Sequence, residues 1–283
     1  MRAMTPTTLW RVLSVGLVLV AANPPADAGG HHPPPGDGGG LDACSAPHDM
    51  NAARARARRL VRQIRADLAA VEDQIRAAPF IAAVEAGTAS VELVAAVVAE
   101  EYSIVRSDIN SFTQMKTRFD PAPPHGSHFF GDLADGEALA LPLVLDFGAT
   151  VGLDEQDLAD YEPRARSQTY PSRVSWIASS ADRASGAASF LVNFGVFGEN
   201  MARIRDALIA VYGFTPEEIE FFTFFAEPIP GFEDDAIEVI AAGLIEGACP
   251  RDVRRSARLL QAYELDFWLA ASDPPGSPLP VER

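Results

Sequence analysis

From Asn51 onward, apolar residues recur every three or four positions, the period of helices that turn one face inward. Leu60, Ile64, Leu68, Val71 and Ile75 make one such stripe on a first long helix. Ser90 precedes a second long run through Phe119, apolar at Leu93, Val97, Ile104, Val105 and Phe112 and closed by Asp120-Pro121-Ala122-Pro123-Pro124; proline cannot continue a helix. Residues 136–149 and 154–161 read as shorter helices divided by Gly152, and a long helix is expected from Ala184 to Tyr212, stopped by Gly213. Thr215-Pro216-Glu217-Glu218 has the form of a capping box with proline at the first helical position. It predicts a helix carrying Ile219, Phe221, Phe222, Phe224 and Phe225. Another begins near Glu233, with Ile237, Ile240, Ala241 and Leu244 on one face, and a last one runs from Pro250 to about Leu269. No segment alternates like a strand, and no repeat or glycine-rich phosphate loop is visible. The pattern predicts an all-α fold, a single bundle of about seven to nine helices over residues 50–273, with 274–283 a disordered tail.

Residues 1–49 follow a different pattern. Arg2 and Arg11 precede an apolar run from Val12 to Ala22, and Ala26-Asp27-Ala28 offers a small-x-small cleavage site, as in a secretory signal peptide. The run is too short for a membrane span. The Pro/Gly-rich stretch that follows cannot bury enough apolar surface to order itself. Two readings stand side by side: export with cleavage after Ala28, or a start near Met50 and a cytoplasmic protein whose leader is a spurious upstream reading frame.

Composition narrows the chemistry. With 23 basic and 39 acidic residues the net charge is −16, which argues against nucleic acid and against stable association with anionic membranes. Two cysteines, Cys44 and Cys249, exclude a disulfide framework or a cysteine-rich zinc site. His31, His32 and His48 lie in the leader, His125 and His128 in a loop, and none follows. The arginines of residues 51–78 (Arg54, Arg56, Arg58, Arg59, Arg62, Arg65 and Arg76) outnumber Asp67, Glu72 and Asp73. They would dock on an acidic face of the same body, on an acidic partner, or stay solvated.

Several stretches together resemble the heme-oxygenase-like helical superfamily, which includes thiaminase II, pyrroloquinoline-quinone synthase and non-heme diiron oxidases. Pro79-Phe80-Ile81 through Gly87 is similar to its short helix before the first long one, Glu100-Glu101-Tyr102 with Ser107-Asp108 to its first inward-facing helix, and Tyr212-Gly213 with Phe221-Phe222 to its aromatic segment. The resemblance implies a pocket between the helices. In the diiron members it implies six ligands, but Phe225, Ile229 and Phe232 fall on three of those positions and Asn193 near a fourth. Only Glu101 and Asp108 remain as carboxylates, so no metal site is expected. Heme is disfavoured for want of a proximal histidine. The cysteine nucleophile that thiaminase II carries in its long helix has no counterpart in SFLVNFGVFGENMARI. A carboxylate-only iron site, with Glu227, Asp234 or Asp235 brought near Glu101 and Asp108, is the alternative; acidic residues at a helix N-terminus also simply complement its dipole.

Glu101 and Asp108 are seven apart and share one helical face. If that face is buried, they are acid–base candidates; the alternative is ion pairing, Glu101 with Arg205 or Asp108 with Arg106. Asn193 between Val192 and Phe194 needs hydrogen-bond partners, either a substrate carbonyl that it orients or a structural group. Tyr102, Phe194, Phe225 and Phe232 are the expected substrate contacts, although aromatic residues at helical spacing are most often core. The functional expectation is a metal-independent enzyme acting on a small hydrophobic metabolite, with no cofactor and with a homodimer as the expected assembly. The alternative is a non-catalytic binding or accessory protein on the same scaffold.

Overall fold

The computed structural model describes residues 44–120 and 128–278; the signal-like run, the cleavage site after Ala28 and most of the Pro/Gly leader lie outside them. Among the described residues there are ten helices and no strand: α1 (Met50–Arg76), α2 (Pro79–Glu85), α3 (Val91–Phe119), α4 (Phe129–Thr150), α5 (Glu155–Asp160), α6 (Thr169–Ser180), α7 (Arg183–Ala210), α8 (Glu220–Ala226), α9 (Phe232–Ile245) and α10 (Pro250–Ala270). The fold is an all-α bundle, with more helices than the pattern predicts.

The long helices follow from their stripes. On α1, Leu60, Val61, Ile64, Leu68 and Ile75 are buried, facing α9 and α10. Asp49 caps its start by accepting from the Ala52 N–H at 2.8 Å, and Ser90 caps α3 by accepting from Leu93 N–H at 3.2 Å. Helix α7 is buried along most of its first three turns and lies between α9, α10 and α8. Its small residues permit close approach: a Cβ placed on Gly243 of α9 would sit 2.7 Å from the Ala184 Cβ. Helix α3 packs against α4 on one side and α6 on the other, which brings α3, α4, α6, α7 and α10 around one interior.

Three elements differ from the pattern. Helix α4 starts at Phe129, seven residues before its expected beginning, because its first turn is capped from elsewhere: Asp120, at the end of α3, accepts from the Gly131 N–H at 2.8 Å. Helix α6 has no local cap and was not signalled by a stripe, yet Tyr170, Val174, Ile177 and Ala178 are buried. The reciprocal Thr215 and Glu218 bonds form, at 2.7 and 3.4 Å, but they close a turn and α8 begins only at Glu220.

The arginines of α1 meet the acidic first turns of α9: Arg54 with Glu238 at 2.6 Å, Arg65 with Glu233 at 3.0 Å and Arg58 with Asp234 at 3.9 Å. At the N-terminal end of the described chain, Cys44 forms a disulfide with Cys249, the residue that precedes α10. Near the other end, Ala165 N–H donates to Ser277 O and Gly276 N–H to Glu162 O. No described helix is long and apolar enough to cross a membrane.

Candidate active site

Where α3, α4, α6, α7 and α10 converge, a cavity of about 30 Å³ is lined by Glu101 and Asp108 of α3, Glu137 of α4, Tyr170 of α6 and Glu264 of α10. Its apolar walls include Phe194 and Phe197 of α7, Phe225 of α8 and Phe267 of α10. A water molecule needs on the order of 10–15 Å³ of such volume, so the space takes two or three waters or one small polar group. Phe194, Phe197 and Phe225 are half-buried and mark the side from which it is reached.

Four carboxyl groups therefore face one small space, and among the described residues no lysine, arginine or histidine joins them in its lining. Removing a carboxylate from water without a counter-charge favours its protonated form. Burial pushes the Glu137 carboxyl to about 8. It also raises Glu264, to about 7, against the pull of hydrogen bonds from Asn193 and Trp268. Glu101 and Asp108 are held well above the usual carboxylate range, first by burial and then by the charges of neighbouring carboxylates. One oxygen of Asp108 is buried without a hydrogen-bond partner. Burial, followed by the same carboxylates, raises the Tyr170 hydroxyl as well.

Asn193 stands behind this lining and organises it. Its Nδ2 donates to Glu264 Oε2 and to Gln261 Oε1, both at 3.1 Å, and its Oδ1 accepts from the Tyr170 hydroxyl at 3.1 Å. Trp268 Nε1 donates to the other Glu264 oxygen at 2.7 Å. One amide thus fixes the orientation of two cavity groups, the phenol and the carboxylate.

Of the residues singled out from the sequence, Glu101, Asp108, Phe194 and Phe225 line the cavity. Tyr102 does not: it is buried, its hydroxyl accepts from Arg106 at 3.2 Å, and that guanidinium lies 5.2 Å from its ring. Phe232 lies one layer back, stacked between Phe129 and Phe194 at 5.3 and 5.6 Å. The continuous register that would place it beside Phe225 is broken, since α8 ends at Ala226 and α9 starts at Phe232 after Pro228 and Pro230. The ion pairs considered for the two α3 acids are not formed: Arg106 turns to Tyr102, and Arg205 to Asp206 at 2.8 Å and Glu227 at 3.6 Å. Glu227, Asp234 and Asp235 are exposed and do not approach Glu101. The acids that do are Glu137 and Glu264. Glu264 had a signal, since it falls four after Leu260 and three before Phe267 on the buried stripe of α10; Glu137, close behind Asp132 and Asp135, did not stand out.

Metal binding fits this arrangement poorly. Among the described residues no three His, Cys, Asp or Glu side chains stand in a geometry that could hold an ion. His48 stands beside Asp49, and His128 near Asp120 and Asp132. Heme would need far more room than the cavity offers.

No protein-family profile matches the chain and no curated protein matches it. Solved structures do. A TenA homologue from Pseudomonas syringae pv. tomato superposes with a TM-score of 0.63 at 13% identity, over 80% of this chain and 97% of that one. A TenA homologue from P. horikoshii OT3 gives 0.59 at 16% identity, over 75% and 97%. A domain of unknown function with a heme oxygenase-like fold from Shewanella denitrificans gives 0.59 at 19%, over 75% and 90%.

Proposed function

Given that the chain has the heme-oxygenase-like fold, we propose that it is a metal-independent acid–base enzyme acting on a small metabolite whose apolar part rests among the phenylalanines. The observation that carries this is the set of four carboxyl groups facing one cavity without a cation. Two of them, Glu264 at about 7 and Glu137 at about 8, titrate near neutral pH, where one carboxyl can serve as base while the other holds a proton as acid. Glu264, ionised and oriented by Asn193 and Trp268, takes a proton from the substrate. Glu137 returns one at a second substrate atom, so the reaction is a proton shift that leaves the overall charge unchanged. Glu101 and Asp108, pushed by burial towards their protonated forms, donate hydrogen bonds to the reacting group. Asn193 is a positioning residue.

The test is mass spectrometry of the purified protein for a bound small molecule, followed by turnover of any compound recovered. Glu264→Gln is expected to retain the ligand and lose turnover by at least about 100-fold, the usual scale for one general base. Turnover at the wild-type rate in both Glu264→Gln and Glu137→Gln contradicts the proposal, and a ligand released unchanged by wild type favours a binding protein instead.

For location, we infer export. The Cys44–Cys249 disulfide supports this reading, because such bonds persist in oxidising compartments and are rare in the cytosol. Alkylation of the natural protein without prior reduction tests it: two labelled cysteines in cytoplasmic material would contradict it.

A further inference from the structure

We propose that Glu72 of α1, which does not line the cavity, is a positioning residue for it: through two buried amides it fixes which way Asn193 faces and so keeps a donor on Glu264. Its value to catalysis rests on the reading of Glu264 as the base.

One hydrogen-bonded row runs from the surface to the cavity. The Glu72 side chain is 16% exposed, and Arg76 Nη2 donates to its Oε2 at 3.4 Å. Gln261 Nε2 donates to Glu72 Oε1 at 3.3 Å. Asn193 Nδ2 donates in turn to Gln261 Oε1 and to Glu264 Oε2, and the Tyr170 hydroxyl donates to Asn193 Oδ1. Gln261 is 0% and Asn193 1% exposed, so neither amide has bulk water to turn to.

The direction of every donor in this row follows from its outer end. An ionised carboxylate only accepts, whereas an amide carries donors on one side and an acceptor on the other. Glu72 accepts at both oxygens, so Gln261 turns its NH2 outward and its carbonyl inward. Only the NH2 of Asn193 can meet that carbonyl, and its second hydrogen falls on Glu264. Val192 O, 3.5 Å from Gln261 Nε2, is a second acceptor on the outer side, longer and uncharged.

Without the Glu72 acceptor, both amides can reverse together. Gln261 then donates to Asn193 Oδ1, the same oxygen faces Glu264, and a carboxyl that faces an acceptor keeps its proton. The Tyr170 hydroxyl accepts from Nδ2 and turns its own hydrogen to the cavity. The site therefore has two hydrogen-bond polarities, and Glu72 selects the one that favours an ionised Glu264. The charged groups beside Glu72 are Arg76 and Glu199, and those that share the cavity with Glu264 are Glu101, Asp108, Glu137 and Tyr170. Loss of the Glu72 charge alone would lower the titration of Glu264, because one repelling carboxylate is gone. Loss of the amide orientation raises it.

Carbon-13 titration of the glutamate carboxyls in the intact protein separates the two effects without a substrate. Glu72→Gln and Glu72→Met delete the same charge, but only glutamine keeps an oxygen that accepts from Gln261. Both are good helix formers. Glu264 is expected to titrate at least about half a pH unit higher in Glu72→Met than in Glu72→Gln, the scale of one neutral hydrogen bond. Gln261→Met, which cuts the row one step further in, should raise it likewise. Equal titration in the two Glu72 variants, or a lower value in Glu72→Met than in wild type, would overturn the assignment. Neither outcome depends on whether Glu264 is the base, which turnover by Glu264→Gln decides separately.

Discussion

Glu100 and Glu101 are neighbours on α3, both buried, and the protein surrounds them differently. Glu100 is 0% exposed and is met by an equally buried Arg164, whose guanidinium stands 3.3 Å away and whose backbone N–H donates at 2.8 Å; Gln168 donates at 3.0 Å and the Tyr161 hydroxyl at 3.4 Å. Arg164 Nε in turn donates to Asp273 O at 2.7 Å, which ties the segment after α5 to the end of α10. Burial still raises the Glu100 carboxyl, but each of these partners pulls it back. One residue on, Glu101 turns to the cavity, where burial, the cavity carboxylates Glu264 and Glu137, and Glu100 itself all act in the same direction. A buried acid that serves the fold arrives with its cation and its donors. The cavity acids arrive with each other, which costs stability and makes sense where protons are to be moved.

Breaking the Glu100 side should have the largest effect. Arg164→Met strands a buried carboxylate and is expected to destabilise the protein by roughly 3–5 kcal/mol, read from urea denaturation at pH 7. Breaking the cavity side should do the reverse. Glu137 holds its proton more tightly when folded than when unfolded, so its contribution to stability is greatest below about pH 4.5, declines as pH rises towards 8, and is level above that. Glu137→Gln removes this decline; at pH 8 it should stabilise the protein by about 3 kcal/mol, the proton term reduced by the cost of burying an amide. Melting temperatures of the two proteins from pH 4 to 9 should converge at the acid end and separate at the alkaline end.

Smaller effects sharpen the contrast further. Asn193→Leu leaves Tyr170, Gln261 and Glu264 short of a partner, at about 2 kcal/mol. Because it also removes a donor to the ionised form of Glu264, the titration of that carboxyl should move upward, visible in carbon-13 spectra of labelled glutamate. Gln168→Ala removes a single donor from Glu100 and should cost about 1 kcal/mol, with the Glu264 and Glu137 titrations unchanged.

The long helices were legible because each buries a stripe over many turns, as α1 does from Leu60 to Ile75. Helix α6 was not, since its buried residues Tyr170, Val174 and Ile177 follow no local cap, and the start of α4 was hidden because Asp120 caps it through space. The site was half legible for the same reason. Glu101 and Asp108 share one helix face, and their spacing alone relates them. Glu137 and Glu264 join them only once α4 and α10 pack around α3 and α7, and Tyr170 depends on the helix the pattern did not show. The family register carried along Phe221 to Phe232 assumed one helix where Pro228 and Pro230 impose two, which is why Phe225 reaches the cavity and Phe232 stacks behind it.

The central claim is that the cavity carboxyls titrate well above the ordinary carboxylate range. A carbon-13 titration of all glutamate side-chain carboxyls in the intact protein, assigned with Glu137→Gln and Glu264→Gln, tests it directly. The account expects Glu264 to titrate at about 7 and Glu137 at about 8, with Glu101 also well above the ordinary glutamate range. Titration of all three near the ordinary glutamate value of about 4.3 would contradict it.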